Sequence, residues 1–318
     1  MSKLPHILVL GGGPDSEREV SLKSAHFISA ALREAGHEVT NQTIDRLTID
    51  ELHRLPGDVI FPALHGGWGE GGPLQDLLEA DGRPFVGCMS RAARHAMDKV
   101  ATKFTARGVG IPTPDCHILD LRDTVPPLPF PLVMKPTHEG STVGLFVCRS
   151  QQEWAIARTT IDQQRATGTD RVYMIEPCIA RPNGKKAREL TVGLIDGQPL
   201  PVIEITPATD LYGYEEKYTR SDTVYVVEPR LPPGITERIQ QQTAALAKAM
   251  NIRHLARADF MLDMDNDDPN AANATAWFLE INTLPGFTDH SLVPMAAKHI
   301  GMPMPQLCHK LVTLAMRA

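Results

Sequence analysis

Long apolar runs are missing from this 318-residue sequence. The longest run near the N-terminus, residues 7–10, has the length of a strand, whereas a helix that crosses a bilayer needs about 20 apolar residues. No basic region followed by a long apolar stretch opens the chain, so the sequence predicts no secretion signal. We therefore expect a cytoplasmic protein that has no membrane partner.

Cysteine is scarce, and basic charge is not in excess. The five cysteines are scattered without a CxxC pair, which favours reduced thiols in the core over a disulfide framework or a zinc site. The 32 basic residues face 38 acidic ones, giving a net charge of −6. This balance argues against a protein built mainly to coat nucleic acid, although a local basic patch can still bind phosphates.

Several catalytic and metal-binding motifs are also absent. The sequence contains neither HExxH nor GxSxG, nor the P-loop pattern GxxxxGK[ST]. The acidic run at residues 263–268 lacks the central glycine of a calcium loop, and its twelfth position is Ala274. We interpret this run as a solvated connection between two strands.

Strand and helix signals alternate over residues 6–107, which predicts a mostly parallel sheet covered by helices. Ser16 and Glu19 form a capping-box pattern at the start of the first helix. Residues 84–87 are predicted to form a short strand, and residues 90–107 a single helix.

The pattern changes after Gly110, where residues 111–131 form a proline-rich connector. Asp196-Gly197 predicts a hairpin turn, and residues 206–226 predict a long loop or lid. The strands predicted beyond residue 129 are 130–135, 145–148, 172–176, 189–195, 201–205, 257–262 and 277–281. Helices are predicted at residues 151–165 and 235–250, and two short helices close the chain. The predicted modules are 1–98, an α/β substrate-binding domain, 99–186 and 187–318.

Two groups of polar residues predict a site for Mg-ATP without a P-loop. Lys135 ends an apolar strand, and the following HEGSTVG can approach phosphates through backbone N–H groups. Glu280 and Asn282 share one face of a strand because they are two residues apart, and Asp259 lies in a neighbouring strand. Oxygen ligands of this kind suit Mg²⁺, while a surface carboxylate pair without a metal is the alternative.

Two glycine-rich loops leave their roles open. Residues 11–16 fail the dinucleotide-binding fingerprint, because Ser16 takes the place of its last glycine and Pro14 restricts the turn. This loop opens a helix, so it either binds an anion or simply caps the helix, and Glu17 stands in the first turn. His65 lies in HGGWGEGG after a predicted strand, where ligand binding and a structural role are equally supported.

Seven ordered motifs spread over about 290 residues resemble the D-alanine–D-alanine ligases of the ATP-grasp superfamily. They are GGGPDSEREVSL, ALHGGWGEGGPLQ, MDKVATK, MKPTHEGSTVG, YGYEEKYTRSDTVY, ARADFMLD and FLEINTLPGFTDHSLVPMAA. The departures are modest: Ala256 stands where a glycine is usual, and Thr142 replaces a common serine. The resemblance implies an α/β, three-module architecture, in which a parallel-sheet domain precedes two α+β ATP-grasp subdomains.

The resemblance also implies an activity. It is the ATP-dependent ligation of two D-alanines through a D-alanyl phosphate, for peptidoglycan precursors, with ATP as co-substrate and two Mg²⁺ or Mn²⁺ ions. A homodimer without nucleic-acid partners is implied as well. The alternatives are a ligase with D-lactate or D-serine as acceptor, or an inactive nucleotide-binding regulator. Lys217 and Tyr218 favour an amine acceptor, and the complete set of expected ligands argues against the regulator.

The implied nucleotide contacts are Lys99, Lys135, Ser141, Glu176, Ile179, Glu189, Lys217 and Asn282. Within this set, Lys99 and Lys135 hold the α- and β-phosphates, and Lys217 reaches the γ-phosphate. Glu176, Ile179 and Glu189 line the pocket for adenine and ribose. The implied metal ligands are Asp259, Glu280 and Asn282.

The implied catalytic residues and alanine contacts are Glu17, His65, Ser141, Tyr218, Arg257, Gly286, Ser291 and Leu292. Glu17 binds the ammonium of the first alanine and is linked to Ser141 and Tyr218, while His65 lies near its carboxylate. Arg257 and the N–H of Gly286 form the oxyanion site. Ser291, with Leu292 beside it, takes the carboxylate of the second alanine at a helix N-terminus.

Overall fold

The computed structural model of the chain describes residues 3–120, 122–140, 142–179, 187–207, 222–264 and 274–317. Three sheets lie in these residues, one parallel and two antiparallel. Each sheet lies within one of the three predicted modules, whose boundaries remain a prediction. None of the helices in the described part of the chain is long and apolar enough to cross a membrane.

The first sheet is parallel, as the alternation of strands and helices predicts. It contains β1 (Ile7–Gly12), β2 (Val39–Ile44) and β3 (Val59–Pro62) in the order β2-β1-β3. The helices of this part are α1 (Arg18–Glu34), α2 (Ile49–His53), α3 (Gly66–Gly69), α4 (Pro73–Asp81), α5 (Ser90–Met97) and α6 (Lys99–Gly108). Every residue of β1 is buried, as expected for a strand covered on both faces.

The predicted capping box of α1 is wrong. The N-cap is Glu17, one residue after Ser16, and no side chain caps the first turn. A turn places the N–H of Arg18 on the carbonyl of Asp15 at 3.1 Å, which shifts the helix start by one residue. The Glu17 side chain is directed to the loop after residue 136 instead: a Cβ added to Gly140 would stand 3.1 Å from its Oε2.

The single helix predicted for residues 90–107 is wrong as well. Asp98 has an extended backbone (φ −79°, ψ 99°), and its carboxylate caps α6 by accepting from the N–H groups of Val100 and Ala101 at 2.9 and 3.0 Å. Helical periodicity continues across this point, but an aspartate can end one helix by capping the next. The break makes Lys99 the first residue of α6.

The strand predicted for residues 84–87 is reduced to one bridge, in which Phe85 pairs with Ile60. Proline has no N–H for a ladder, which accounts for Pro84, and Gly87 has a φ of +110° that leaves the strand region.

The central sheet is antiparallel and follows the proline-rich connector. It contains β4 (His117–Ile118), β5 (Leu132–Pro136), β6 (Phe146–Cys148) and β7 (Tyr173–Pro177) in the order β4-β7-β5-β6. The predicted helix appears as α7 (Gln151–Ala166), which buries Trp154 and Ile161 against the sheet. The short strand β4 was not predicted, because two residues carry no periodicity.

The third sheet is antiparallel and has the order β10-β9-β8-β11-β12. Its strands are β8 (Arg188–Ile195), β9 (Gln198–Thr206), β10 (Val224–Val227), β11 (Leu255–Asp263) and β12 (Thr275–Asn282). The helices α8 (Ile235–Ala249), α9 (Leu292–His299) and α10 (Met304–Ala315) cover it. The predicted hairpin is confirmed: Asp196 and Gly197 both have positive φ, 54° and 73°, as a type I′ turn requires.

The loop predicted for residues 206–226 is wrong at its end, because β10 begins at Val224 and pairs with β9. Residues 208–221 lie outside the described part of the chain, so the lid remains a prediction. One buried cluster joins α1 and β1 to α9, α10 and the third sheet. This cluster brings the N-terminal glycine-rich loops next to the end of β12.

Candidate active site

Four polar residues lie side by side on β11 and β12. Asp259 is paired with Glu280, and Arg257 is paired with Asn282. Side chains two residues apart on a strand share a face, so Arg257 and Asp259 point together, as do Glu280 and Asn282. Two carboxylates at directly opposite positions repel each other. The arrangement therefore requires positive charge nearby.

Cations of the protein provide this charge. Arg257 donates two hydrogen bonds to Asp259, from Nε to Oδ1 at 2.9 Å and from Nη2 to Oδ2 at 2.8 Å. Lys99 Nζ lies 3.2 Å from Glu280 Oε2. Thr191 of β8 donates to Asp259 Oδ1 at 2.6 Å. Both carboxylates are thus held in place with their charges balanced.

The oxygen atoms of this cluster fit a hard divalent cation. Across the described ranges, no third His, Cys, Asp or Glu joins Asp259 and Glu280. Asn282 donates from Nδ2 to Asp259 Oδ2 at 3.3 Å, which leaves its amide oxygen as a third donor. Mg²⁺ prefers such oxygens and completes its shell with water and phosphate. Asp259, Glu280 and Asn282 are therefore the residues that would hold it.

Lys99 joins this cluster to the glycine-rich loop after β5. Its ammonium donates to the carbonyl of Glu139 at 2.5 Å, in addition to its ion pair with Glu280. Because Lys99 is the first residue of α6, its position depends on the cap made by Asp98. The lysine lies between the loop predicted to bind phosphates and the predicted metal ligands.

Lys135, at the end of β5, belongs to a second, buried ion cluster. It pairs with Glu176 of β7, which also lies 2.8 Å from Lys103 Nζ. Burial raises the pKa of Glu176, but Lys135 and Lys103 outweigh this effect and lower it. Sequence reasoning missed Lys103. It stands four residues after Lys99 on α6 and so on the same helix face, which was the available signal.

The second and last motifs of the chain meet at His65, just beyond β3. His65 Nδ1 lies 3.0 Å from the carbonyl oxygen of Leu284, after β12. A carbonyl only accepts, so Nδ1 carries the hydrogen. Burial is the largest effect on the pKa of His65 and lowers it, with Glu17 opposing.

The neutral His65 ring faces its remaining nitrogen towards Ser24, whose Oγ lies 3.5 Å from Nε2. In this form Nε2 is an acceptor, whereas a carboxylate needs a donor. His65 can therefore hold the predicted alanine carboxylate only after it binds a second proton.

Glu70, in HGGWGEGG, is a further buried acid that sequence reasoning did not single out. Its Oε2 accepts from the N–H of Leu284 at 3.4 Å. Burial, followed by the charges of Glu17 and Glu280, raises its pKa to about 8. A glutamate flanked by glycines was the only signal, and this pattern alone does not separate a cleft residue from a loop residue.

The segment after β12 brings Gly286 against Ser291. A Cβ added to Gly286 would stand 2.9 Å from Ser291 Oγ, which in turn accepts from the N–H of Thr288 at 2.8 Å. Ser291 is the N-cap of α9, and Leu292 is its first, buried residue. The unpaired N–H groups of such a helix start favour a carboxylate.

Five further residues were predicted to belong to the site, and the structure does not test their roles. Ser141, Lys217 and Tyr218 lie outside the described residues. Ile179 follows β7 and is half-buried, and Glu189 shares a face of β8 with Thr191. Their contacts with adenine and ribose remain predictions.

Part of the described site lines one cleft. Its lining includes Glu70, Lys99, Glu139, Glu280 and Asn282. The cavity at its base is about 20 Å³, which is room for about one water molecule or ion. Acidic, basic and amide groups from all three predicted modules therefore face the same space.

Comparison with known proteins identifies the family. The family model of the D-Ala–D-Ala ligase C-terminus matches residues 117–313. The chain is 36% identical to a D-alanine–D-alanine ligase of Syntrophotalea carbinolica, covering 96% of this chain and 94% of the relative. It is 35% identical to that of Aquifex aeolicus, covering 96% and 99%.

Solved structures agree with these relatives. The fold matches a crystal structure of D-alanine–D-alanine ligase from Bacillus anthracis complexed with ATP, with a TM-score of 0.79 and 29% identity over 99% of this chain and 98% of that one. The predicted ATP-grasp architecture is thereby confirmed. The chain belongs to the D-alanine–D-alanine ligase family.

Proposed function

We propose that this chain joins two D-alanines to D-alanyl-D-alanine at the expense of ATP, and so supplies a precursor of peptidoglycan. The observation that carries the proposal is the cleft in which Asp259 and Glu280 face each other beside Lys99 and Arg257. Its residues fit a reaction that builds up negative charge. The relatives at 35–36% identity are named D-alanine–D-alanine ligases.

The chemistry requires activation, because a carboxylate does not react with an amine in water. An oxygen of the first D-alanine attacks the γ-phosphorus of ATP, forming D-alanyl phosphate and releasing ADP. The amine of the second D-alanine, after losing a proton, attacks the acyl carbon and expels phosphate. The protein therefore positions the reactants and stabilises charge.

Lys99 and Lys135 are assigned to the phosphates because both stand beside the loop after β5. Asp259, Glu280 and Asn282 are assigned to two Mg²⁺ ions. When bound, Mg²⁺ neutralises phosphate oxygens and makes the phosphorus a better electrophile. Lys217, from residues 206–226, is assigned to the γ-phosphate.

Glu17 is assigned to the ammonium of the first D-alanine. Glu17 is buried, and its Oε2 lies 3.1 Å from the position that a Cβ on Gly140 would take. The loop that precedes Ser141 therefore packs against Glu17. Ser141 and Tyr218 are assigned to the hydrogen-bond chain from Glu17. The protein presents a fixed anion to one end of the substrate and leaves the other end for the phosphoryl group.

Arg257 and the N–H of Gly286 are assigned to the oxyanion of the tetrahedral intermediate. Arg257 is held rigidly by its two bonds to Asp259, and preorganised donors stabilise developing charge most effectively. Ser291 at the start of α9 is assigned to the carboxylate of the second D-alanine.

The coarser environment follows from the same proposal. We propose a cytoplasmic homodimer that works on small molecules and binds neither nucleic acid nor membrane. Light scattering after size-exclusion chromatography tests the dimer, since a mass near 70 kDa is expected from the 34.9 kDa chain. A mass near that of one chain would contradict it.

Phosphate release from ATP tests the activity. We expect release to depend on D-alanine and to stop when EDTA removes divalent metal. L-alanine, D-serine and D-lactate, supplied in place of D-alanine or together with it, test the substrate. Release that ignores D-alanine or survives EDTA would contradict the proposal, and preferential incorporation of D-lactate at pH 6–7 would identify a different acceptor.

A further inference from the structure

A buried cluster of two lysines and one glutamate lies behind the predicted phosphate site. Lys103 Nζ lies 2.8 Å from Glu176 Oε2, and Lys135 pairs with the other oxygen of the same carboxylate. The side chains of Lys103 and Glu176 are only 1% and 4% exposed. Two cations and one anion leave the cluster with a net charge of +1.

The contacts of Lys103 favour its charged form. Its Nζ donates to Thr113 Oγ1 at 2.8 Å and to the carbonyl of Pro114 at 3.0 Å, and it faces the Glu176 carboxylate. Thr113 gives its own hydrogen to the carbonyl of Phe278 at 2.8 Å, so it accepts from Lys103.

All three partners of Lys103 are thus acceptors, and only an ammonium has three hydrogens to donate. Burial lowers the pKa of Lys103, with Glu176 opposing. A neutral amine would make no ion pair with the buried Glu176 carboxylate, so the contacts favour the ammonium.

The two lysines lie on different sides of Glu176. Lys103 is enclosed by α6 and by Thr113 and Pro114, whereas Lys135, 9% exposed, stands at the end of β5 before the glycine-rich loop. If Glu176 had Lys135 as its single partner, the pair would be neutral. Because Lys103 shares the carboxylate, positive charge remains on the side of the loop, and Coulomb interactions are strong in such a buried place.

We propose that Lys103 is a positioning residue that balances Glu176 from the interior and thereby keeps the charge of Lys135 available to the phosphates of the nucleotide. This inference rests on the proposed ATP-dependent function. It adds a residue that touches neither nucleotide nor substrate.

The test compares the affinities of ATP and adenosine, because their ratio isolates the phosphates. Isothermal titration with Lys103→Met is expected to show ATP binding weakened on the order of tenfold, with adenosine binding nearly unchanged. In turnover, KM for ATP rises by a similar factor and kcat stays within about threefold, because binding is lost equally in ground and transition states. Lys248→Met, which removes an exposed lysine of α8, is the matched control and leaves the ratio unchanged.

The double variant Lys103→Met/Glu176→Gln separates charge from structure. It removes one positive and one negative charge, so the net charge returns to +1 and the ratio of adenosine Kd to ATP Kd returns to within about threefold of the wild type. A merely structural role for Lys103 predicts that the ratio of adenosine Kd to ATP Kd in the double variant stays at the value of the single variant. That outcome would overturn the inference, as would equal loss of ATP and adenosine binding.

Two further results complete the test. If thermal unfolding shows that Lys103→Met does not fold, Glu176→Gln is tested in its place. This variant raises the charge of the cluster to +2, so the ratio of adenosine Kd to ATP Kd is expected to be several-fold higher than in the wild type. No increase overturns the inference. A wild-type protein that binds no ATP contradicts the proposed function, and the inference with it. A wild type that binds ATP, with a ratio that Lys103→Met leaves unchanged, contradicts only the role of Lys103.

Discussion

Polar side chains on β11 and on the two residues before it have two different kinds of partner: backbone groups and other side chains. Arg253 and His254 bind backbone of the N-terminal part: Arg253 Nε donates to the carbonyl of Gly87 at 2.8 Å, and His254 Nδ1 accepts from the N–H of the same residue at 3.1 Å. Arg257 and Asp259, within β11 itself, bind each other at the cleft.

The difference lies in what the partners are. Backbone groups cannot leave, so the contacts of Arg253 and His254 fix the N-terminal part against the third sheet. The contacts of Arg257 and Asp259 are between side-chain charges, whose remaining donors and acceptor positions can bind a phosphate or a metal ion. We therefore expect changes at the first pair to alter stability and changes at the cleft to alter catalysis.

Glu280→Gln is expected to have the largest effect of the changes at the cleft. It removes a charge required by the metal ions and relieves the repulsion with Asp259. We expect kcat to fall on the order of a thousandfold or more, with an unchanged or higher melting temperature. Phosphate-release kinetics and thermal unfolding measure both effects. Glu237→Gln, on an exposed turn of α8, is the control, and retention of more than about a tenth of the activity would exclude Glu280 as a metal ligand.

Glu70→Gln tests how the buried acid of the cleft changes stability with pH. The pKa of Glu70 is raised from 4.5 to about 8, so the folded protein keeps a proton that the unfolded chain releases. The stabilising contribution is complete below pH 4.5 and is lost as the pH rises to about 8, a change of several kcal/mol. Gln is neutral throughout, so the variant loses this dependence. Urea unfolding at pH 4.5, 6 and 8 in EDTA measures it, and parallel curves for variant and wild type would refute the assignment.

Arg257→Met and Arg253→Met form a matched pair for the comparison itself. Arg257→Met is expected to lower kcat about a hundredfold, because an oxyanion donor is lost, and also to lower stability, because Asp259 loses two charge-assisted hydrogen bonds. Arg253→Met is expected to cost about 2 kcal/mol of unfolding free energy, because it removes the donor from the carbonyl of Gly87 and a cation–π contact with Phe85. Equal effects of the two variants on kcat would contradict the separation of a stabilising Arg253 from a catalytic Arg257.

Much of the fold was predictable, because strands and helices leave local patterns. The hairpin at Asp196-Gly197 follows from two residues that tolerate positive φ, and β12 was predicted to within two residues of its ends. The break at Asp98 was missed because apolar periodicity continues through it. The distinction between capping a helix and continuing one depends on a backbone angle that the sequence does not display.

The site residues also fall into those that a local pattern reveals and those that it does not. Glu280 and Asn282 were found because period-two spacing puts them on one face of a strand. Lys103 and Glu70 were not found, because their environment comes from segments distant in sequence. Lys103 meets Thr113 and Glu176, and Glu70 meets Leu284, which is 214 residues away. Contacts of this kind are set by packing of the modules rather than by local pattern.

His254 gives a pH dependence of stability with the opposite sign to that of Glu70. Its Nδ1 must stay unprotonated to accept from Gly87, and burial, with Arg253 adding, lowers its pKa from 6.5 to about 4. The unfolded chain therefore binds a proton between pH 6.5 and 4 that the folded protein does not. The contribution is complete above pH 6.5 and is lost as the pH falls to about 4, amounting to roughly 3 kcal/mol.

Between pH 4.5 and 6.5, His254 and Glu70 change the free energy of unfolding with pH in opposite directions. In the wild type the two contributions therefore largely cancel. In a Glu70→Gln background the acid slope of His254 is exposed, and adding His254→Gln is expected to flatten it. The free energy of unfolding, measured in urea at pH 4.5, 5.5 and 6.5 for the single and double variants, gives the comparison. A double variant with the same slope as Glu70→Gln would show that the bond from Gly87 does not depend on the protonation of His254.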